Sequence, residues 1–119
     1  MPLSVLVVDD DRSVRVSLVR ALRTRGYRAV EVGSGEEAVQ KALESLPDVI
    51  VMDLMMPLQS GAEVARAMRR EPTLACVPII ALSASPWLVT HPDPLFVSVL
   101  TKPCPLSTLI DAITQAVRR

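Results

Sequence analysis

The feature that most limits what this chain can fold into is an alternation, repeated along its length, of short β-branched runs and amphipathic helical stretches. Ser4–Val8 (SVLVV) is apolar on both faces and reads as a buried strand. Asp11 to about Arg25 reads as a helix, with Val14, Leu18, Ala21 and Leu22 inward, arginines outward and Gly26 as its stop. Tyr27–Val32 (YRAVEV) alternates apolar and polar residues, as an edge strand does. Ser34-Gly35-Glu36-Glu37 matches a capping box, and the helix it opens directs Val39, Ala42, Leu43 and Leu46 inward before Pro47 ends it.

The second half continues the pattern. Asp48–Asp53 (DVIVMD) is a third strand, closed by an acid. A loop over Pro57 to Gly61 leads to a helix reaching about Arg70, with Val64, Ala65 and Met68 inward. Val77–Leu82 and Leu95–Leu100 are the fourth and fifth strands. Pro105 suits the first turn of a last helix, whose inner face is Leu106, Leu109, Ile110, Ile113 and Val117. Between the fourth and fifth strands, Pro86, Pro92 and Pro94 leave room for one or two helical turns through Trp87, Leu88 and Val89. Five strands alternating with helices imply a parallel sheet covered on both faces. The 119 residues suit one domain, spanning 1–119.

Composition removes several function classes. With 13 basic and 13 acidic residues the net charge is zero, and the short pairs Arg69-Arg70 and Arg118-Arg119 make no basic stripe, so nucleic-acid binding by this domain is not expected. No basic leader precedes Val5–Val8, which Asp9 interrupts, and no uncharged stretch is long enough to span a bilayer. Cys76 and Cys104 lie far apart and read as reduced thiols, which points to a cytoplasmic protein.

In an open parallel sheet, ligands gather beyond the carboxyl ends of the strands. The first strand ends at Asp9-Asp10, with Asp11 beyond, the third at Asp53, the fourth at Ser83 and the fifth at Thr101-Lys102. Crowded carboxylates repel, and a hard divalent cation relieves the repulsion; Mg²⁺ takes oxygen ligands and commonly pairs with phosphate. A lysine neutralises further charge and a hydroxyl can hydrogen-bond a phosphoryl oxygen, so the set fits phosphoryl transfer. Each residue also has an ordinary reading. Asp caps helices after strands, a role that suits Asp11, while Ser83 alone is a turn residue and Lys102 alone a surface lysine. His91 reads as a loop histidine. Trp87 reads as a plug for the space left by a shortened fourth helix, with a partner-binding anchor as the alternative. Met52 reads as core, and the Met55 side chain as lying over the site mouth.

Four motifs, Val7-Val8-Asp9-Asp10-Asp11, Asp53-Leu54-Met55-Met56-Pro57 with Gly61, Ala81-Leu82-Ser83-Ala84 and Thr101-Lys102-Pro103, stand in order at strand ends. With them the chain resembles response-regulator receiver domains over essentially its whole length. The resemblance implies a flavodoxin-like, doubly wound sheet of strand order 2-1-3-4-5, the order of the family's chemotaxis members. It implies a phosphorylation-activated switch of a two-component or phosphorelay pathway. Asp53 is then the nucleophile that takes a phosphoryl group from the phosphohistidine of a histidine kinase or histidine phosphotransfer protein. Asp10, Asp53 and the backbone carbonyl of Met55 then bind Mg²⁺ directly, and Asp9 acts through water. Ser83 bonds a phosphoryl oxygen, Lys102 pairs with Asp53 or its phosphate, and the Lys102–Pro103 peptide is cis.

Several family features are absent. Val99 replaces the aromatic residue common three positions before the lysine, Asp93-Pro94 stands near the usual Gly-Ala turn, the fourth helix is truncated and Cys104 replaces a common phenylalanine. The expectation that follows is an intact phosphorylation site that reports through a different or remodelled surface. Output is expected through contact with a downstream effector protein, by a monomer or weak homodimer, whether free-standing, a relay shuttle or part of a larger protein. Two other functions compete with this reading. One is a phosphorylation-independent interaction module. The other is an aspartate-nucleophile phosphatase, disfavoured because Met55 stands where such enzymes carry a second acid; no metabolite turnover is expected.

Overall fold

The computed structural model describes residues 2–56, 59–91 and 93–118. Its strands are β1 (Ser4–Val8), β2 (Arg28–Val32), β3 (Val49–Asp53), β4 (Ile79–Ser83) and β5 (Ser98–Thr101). The helices between and after them are α1 (Arg12–Thr24), α2 (Gly35–Ser45), α3 (Gly61–Arg69), α4 (Pro86–Thr90) and α5 (Leu106–Val117). All strand pairs are parallel, in the order β2-β1-β3-β4-β5, so the flavodoxin-like doubly wound architecture is present. The loop residues Pro57 and Leu58, and Pro92, which was expected to stop the fourth helix, lie outside the described residues, as do the terminal Met1 and Arg119.

Side-chain alternation along the strands builds two cores. Val5 and Val7 of β1 join Val49 and Val51 of β3 on the face covered by α1 and α5. Leu6 and Val8 join Ile50 and Met52 on the opposite face, under α2 and α3. Because the sheet is buried on both sides, its central strands are almost uniformly apolar until they reach their carboxyl ends.

The boundary differences have local causes. The backbone N–H of Tyr27 still bonds the Leu22 carbonyl at the end of α1, so β2 begins one residue later. Gly26, the expected stop, has φ 90°. Val77 closes a turn on Leu74, which delays β4, and Leu95 and Phe96 close a turn on Asp93, which delays β5. Asp11 caps α1 through the Val14 N–H, and Ser34 caps α2 through the Glu37 N–H.

Three inward assignments are corrected. Val14 is exposed; with Leu18 and Leu106 it lines a groove of about 640 Å³ between α1 and α5, and Val19 takes the core position instead. Leu46 is exposed because it is the left-handed cap of α2, at φ 45°, which turns it off the helical face. Trp87 does not plug the sheet: it is 61% exposed and stacks on His91, with ring centroids 4.2 Å apart. Buried Phe96 and Val99, backed by Leu88, Val89 and Leu95, fill that region.

Candidate phosphoacceptor site

Three strand ends and the loops after them deliver the site. Asp9 follows β1, and its backbone N–H bonds Val32 of β2, so it stays in line with the sheet. Asp53 is the last residue of β3 and Ser83 the last of β4. Lys102 follows β5, with its N–H bonded to the Ser83 carbonyl at 2.8 Å. Parallel pairing thus fixes the main-chain positions of all four before any side chain is considered. The fold buries Asp9, Asp53 and Ser83 to 1%, 2% and 0% exposure, and they are the buried polar residues among those described.

The carboxylates of Asp9, Asp10 and Asp53 converge, each offering an oxygen within 4.8 Å of the others. Asp10 is the exposed member and faces the entrance. Lys102 Nζ lies 3.3 Å from Asp53 Oδ1 and 3.4 Å from Asp9 Oδ2. The remaining donors are backbone groups: Asp9 Oδ1 accepts the Asp11 N–H at 2.9 Å, and Asp53 Oδ1 accepts the Met55 N–H at 3.0 Å. Ser83 Oγ accepts the Ser85 N–H at 3.0 Å, which holds its hydroxyl at the same edge.

Electrostatics follow from this crowding. Burial raises the Asp9 pKa above its ordinary 3.8 and the neighbouring Asp53 charge adds to the rise, against the Asp11 N–H and the Lys102 ammonium, which oppose it. Burial pulls Lys102 down, but Asp9 and Asp53 more than offset this, so its pKa is raised from 10.5 and it stays an ammonium at neutral pH. Three carboxylates with one resident cation leave surplus negative charge. That donor set, all hard oxygen and open on the Asp10 side, fits Mg²⁺.

Three further observations sharpen the picture. Gly61, at the start of α3, passes so close to β3 that an added Cβ would stand 2.6 Å from the Asp53 carbonyl oxygen. The Met55 side chain is 63% exposed, on the loop that leaves Asp53. The Lys102–Pro103 peptide is cis. Sequence reasoning missed Arg15, which bonds the Asp9 carbonyl while paired with Glu31; no spacing in the sequence links two charges on different elements.

Comparison with known proteins agrees with this architecture. Residues 5–114 match the response regulator receiver domain family. Among curated relatives, the transcriptional regulatory protein PdtaR of Mycobacterium tuberculosis is 34% identical over 120 residues, covering 100% of this chain and 58% of that protein. The response regulator MprA of Mycobacterium leprae is 37% identical over 118 residues, covering 97% of this chain and 51% of its own length. The chain therefore spans little more than half of either relative. Among solved structures, the Vibrio cholerae chemotaxis protein CheY4 superposes with a TM-score of 0.89 at 29% identity, covering 98% of this chain and 99% of that one. The receiver domain of the Pseudomonas aeruginosa sensor histidine kinase PA1611, solved with magnesium coordinated in its active-site cleft, gives a TM-score of 0.86 at 28% identity with both chains fully covered. Sequence and fold point the same way, and the chain belongs to the receiver domains of two-component response regulators.

Proposed function

We propose that this receiver is a phosphorylation-activated switch whose phosphoacceptor is Asp53, loaded from a phosphohistidine of a histidine kinase or histidine phosphotransfer protein. The observation that carries the reading is the pairing of buried Asp53 with Lys102 beside two further carboxylates at one sheet edge. Asp10 and Asp53, with the Met55 carbonyl, would hold Mg²⁺, and Asp9 would act on it through water. When bound, the ion supplies neutralisation of the negative charge that the carboxylates and the phosphoryl oxygens share.

The chain's own residues do the rest. An Asp53 carboxylate oxygen forms the new O–P bond as the P–N bond of the donor breaks, and the imidazole departs with the electron pair and takes up a proton. Lys102, charged and already 3.3 Å from Asp53, pairs with the phosphoryl group as it arrives. Ser83 Oγ, freed to donate its proton, hydrogen-bonds a phosphoryl oxygen. Such positioning and charge neutralisation account for most phosphoryl-transfer catalysis. Output runs through contact with an effector protein. Val99 is buried in the core, so the signal has no aromatic ring to reorient at that position.

The test is intact mass after incubation with acetyl phosphate, with and without Mg²⁺, for the wild-type chain and Asp53→Asn. A Mg²⁺-dependent phosphate adduct absent from the variant is the expected result. An adduct that persists in Asp53→Asn removes Asp53 as acceptor. If no adduct forms and beryllofluoride with Mg²⁺ does not bind, the chain is a phosphorylation-independent interaction module.

A further inference from the structure

We infer that Arg15 is a positioning residue for the acidic site, acting through the peptide that joins Asp9 to Asp10; the inference rests on the Mg²⁺ role proposed above. Arg15 lies on the first turns of α1, where amphipathic patterning alone would send it to solvent. Instead its side chain is half-buried and folds back over the β1–α1 turn. One guanidinium nitrogen donates to the Asp9 carbonyl at 3.0 Å, and Nε donates to Glu31 Oε1, also at 3.0 Å.

The Asp9 carbonyl is where this bond matters. The chain leaves the sheet at this residue, so the carbonyl has no ladder partner. Asp9 is held at every other polar atom: its N–H by Val32, Oδ1 by the Asp11 N–H and Oδ2 by Lys102. Arg15 completes the set and fixes the plane of the Asp9–Asp10 peptide. Asp10 is the exposed acid of the three, so no burial holds its carboxylate as it holds those of Asp9 and Asp53. Its aim toward Asp9 and Asp53 is therefore set by the backbone that Arg15 restrains. Glu31, on edge strand β2, fixes Arg15 in turn, so the restraint is referred to the sheet and not to the helix alone.

Gly33 supports the same assignment from another direction. A Cβ at this position would lie 2.9 Å from the Arg15 guanidinium and 3.2 Å from its central carbon. The loop after β2 thus leaves space that the guanidinium occupies, and any larger residue would push it off the Asp9 carbonyl. A side chain that orients a metal ligand from behind typically changes metal affinity by roughly 10- to 100-fold when removed.

The experiment titrates Mg²⁺ calorimetrically into the wild-type chain, Arg15→Met, Arg15→Lys and Gly33→Ala. Melting curves and amide exchange at Asp10 and Asp11 are recorded without metal. Arg15→Met is expected to weaken Mg²⁺ binding roughly 10-fold and to speed exchange at Asp10 and Asp11. Arg15→Lys restores part of the affinity, and Gly33→Ala weakens binding with every charge retained. Wild-type Mg²⁺ affinity in a folded Arg15→Met overturns the positioning role alone. Should Arg15→Met not fold, wild-type affinity and exchange in Gly33→Ala overturn it equally. No Mg²⁺ binding by the wild-type chain overturns the metal role itself and this inference with it.

Discussion

The Lys102 ammonium stands 3.3 Å from the Asp53 carboxylate across the open end of the sheet, and the same nitrogen reaches Asp9 at 3.4 Å. One cation therefore holds two of the three acids. Replacing it with a neutral side chain removes the charge that meets the incoming phosphoryl group. Lys102→Ala is expected to stay folded and to form the acetyl-phosphate adduct more slowly, by a factor on the order of 100, the size typical of losing one preorganised transition-state donor. Time-resolved intact mass measures it; an unchanged rate would remove Lys102 from the chemistry.

The raised pKa of Asp9 gives a pH dependence with a definite sign. A carboxyl whose folded pKa exceeds its unfolded value binds protons more readily in the native state, so its ionised form opposes folding. That opposition is fully present above the raised pKa and disappears as the pH falls toward 3.8. With a chelator present, Asp9→Asn is expected to be more stable than the wild-type chain at neutral pH. The advantage should shrink as the medium is acidified. Urea unfolding at several pH values reads both effects, and a variant less stable at pH 7 contradicts them.

Gly61 sits where α3 begins, and the space for a side chain is already taken by backbone. A methyl group there would approach the Asp53 carbonyl to 2.6 Å and the Leu54 side chain to 2.8 Å. Backbone yields less readily than the tip of a flexible chain, so Gly61→Ala is expected to cost about 1–3 kcal/mol of stability, as overpacking does. Because the displaced atom belongs to the phosphoacceptor, adduct formation should fall as well. Urea unfolding paired with intact mass checks the two together.

Much of this was legible in the sequence because it depends on local rules. Short apolar, β-branched runs mark the five strands, and an acid or lysine that closes such a run announces where the carboxyl edge lies. Asp9, Asp10, Asp53, Ser83 and Lys102 were found that way, and the structure brings them to one edge. What escaped depends on contacts between elements. The prolines around α4 imply missing volume there, which makes Trp87 the obvious plug, yet Phe96 lies close by in sequence and fills it. Val14 sits at a helical core position that the α1–α5 groove leaves open. Arg15 looked like a solvent arginine because nothing local announces a bond to a backbone carbonyl.

The exchange of roles between Trp87 and Phe96 is measurable. Trp87 is largely exposed and its ring rests on His91, so Trp87→Ala should change stability by no more than about 0.5 kcal/mol, the usual range for surface positions. Phe96 is buried beside Val99, and Phe96→Ala should cost about 3 kcal/mol or more through lost burial and the cavity left behind. Denaturant midpoints of the two variants rank them directly. A Trp87→Ala variant as damaged as Phe96→Ala would restore the indole as a structural plug.

Arg69 ties the end of α3 to the segments that lead into β4 and β5. From the end of α3 its guanidinium donates to the Leu74 carbonyl at 2.9 Å, to Val77 at 2.7 Å and to Leu95 at 3.3 Å. These carbonyls belong to the turns that lead into β4 and β5, where the chain has no ladder of its own. Burial lowers the Arg69 pKa, yet the guanidinium stays charged at neutral pH. Arg69→Met keeps the apolar stem but takes the guanidinium donor from the Val77 and Leu95 carbonyls, while Leu74 keeps the Val77 N–H; each carbonyl left without water or protein costs about 1–3 kcal/mol. Amide exchange should accelerate first at Phe96 and Val97, ahead of β1 and β3. Uniform acceleration across the sheet would mean that Arg69 supports the whole fold and has no particular hold on the approach to β5.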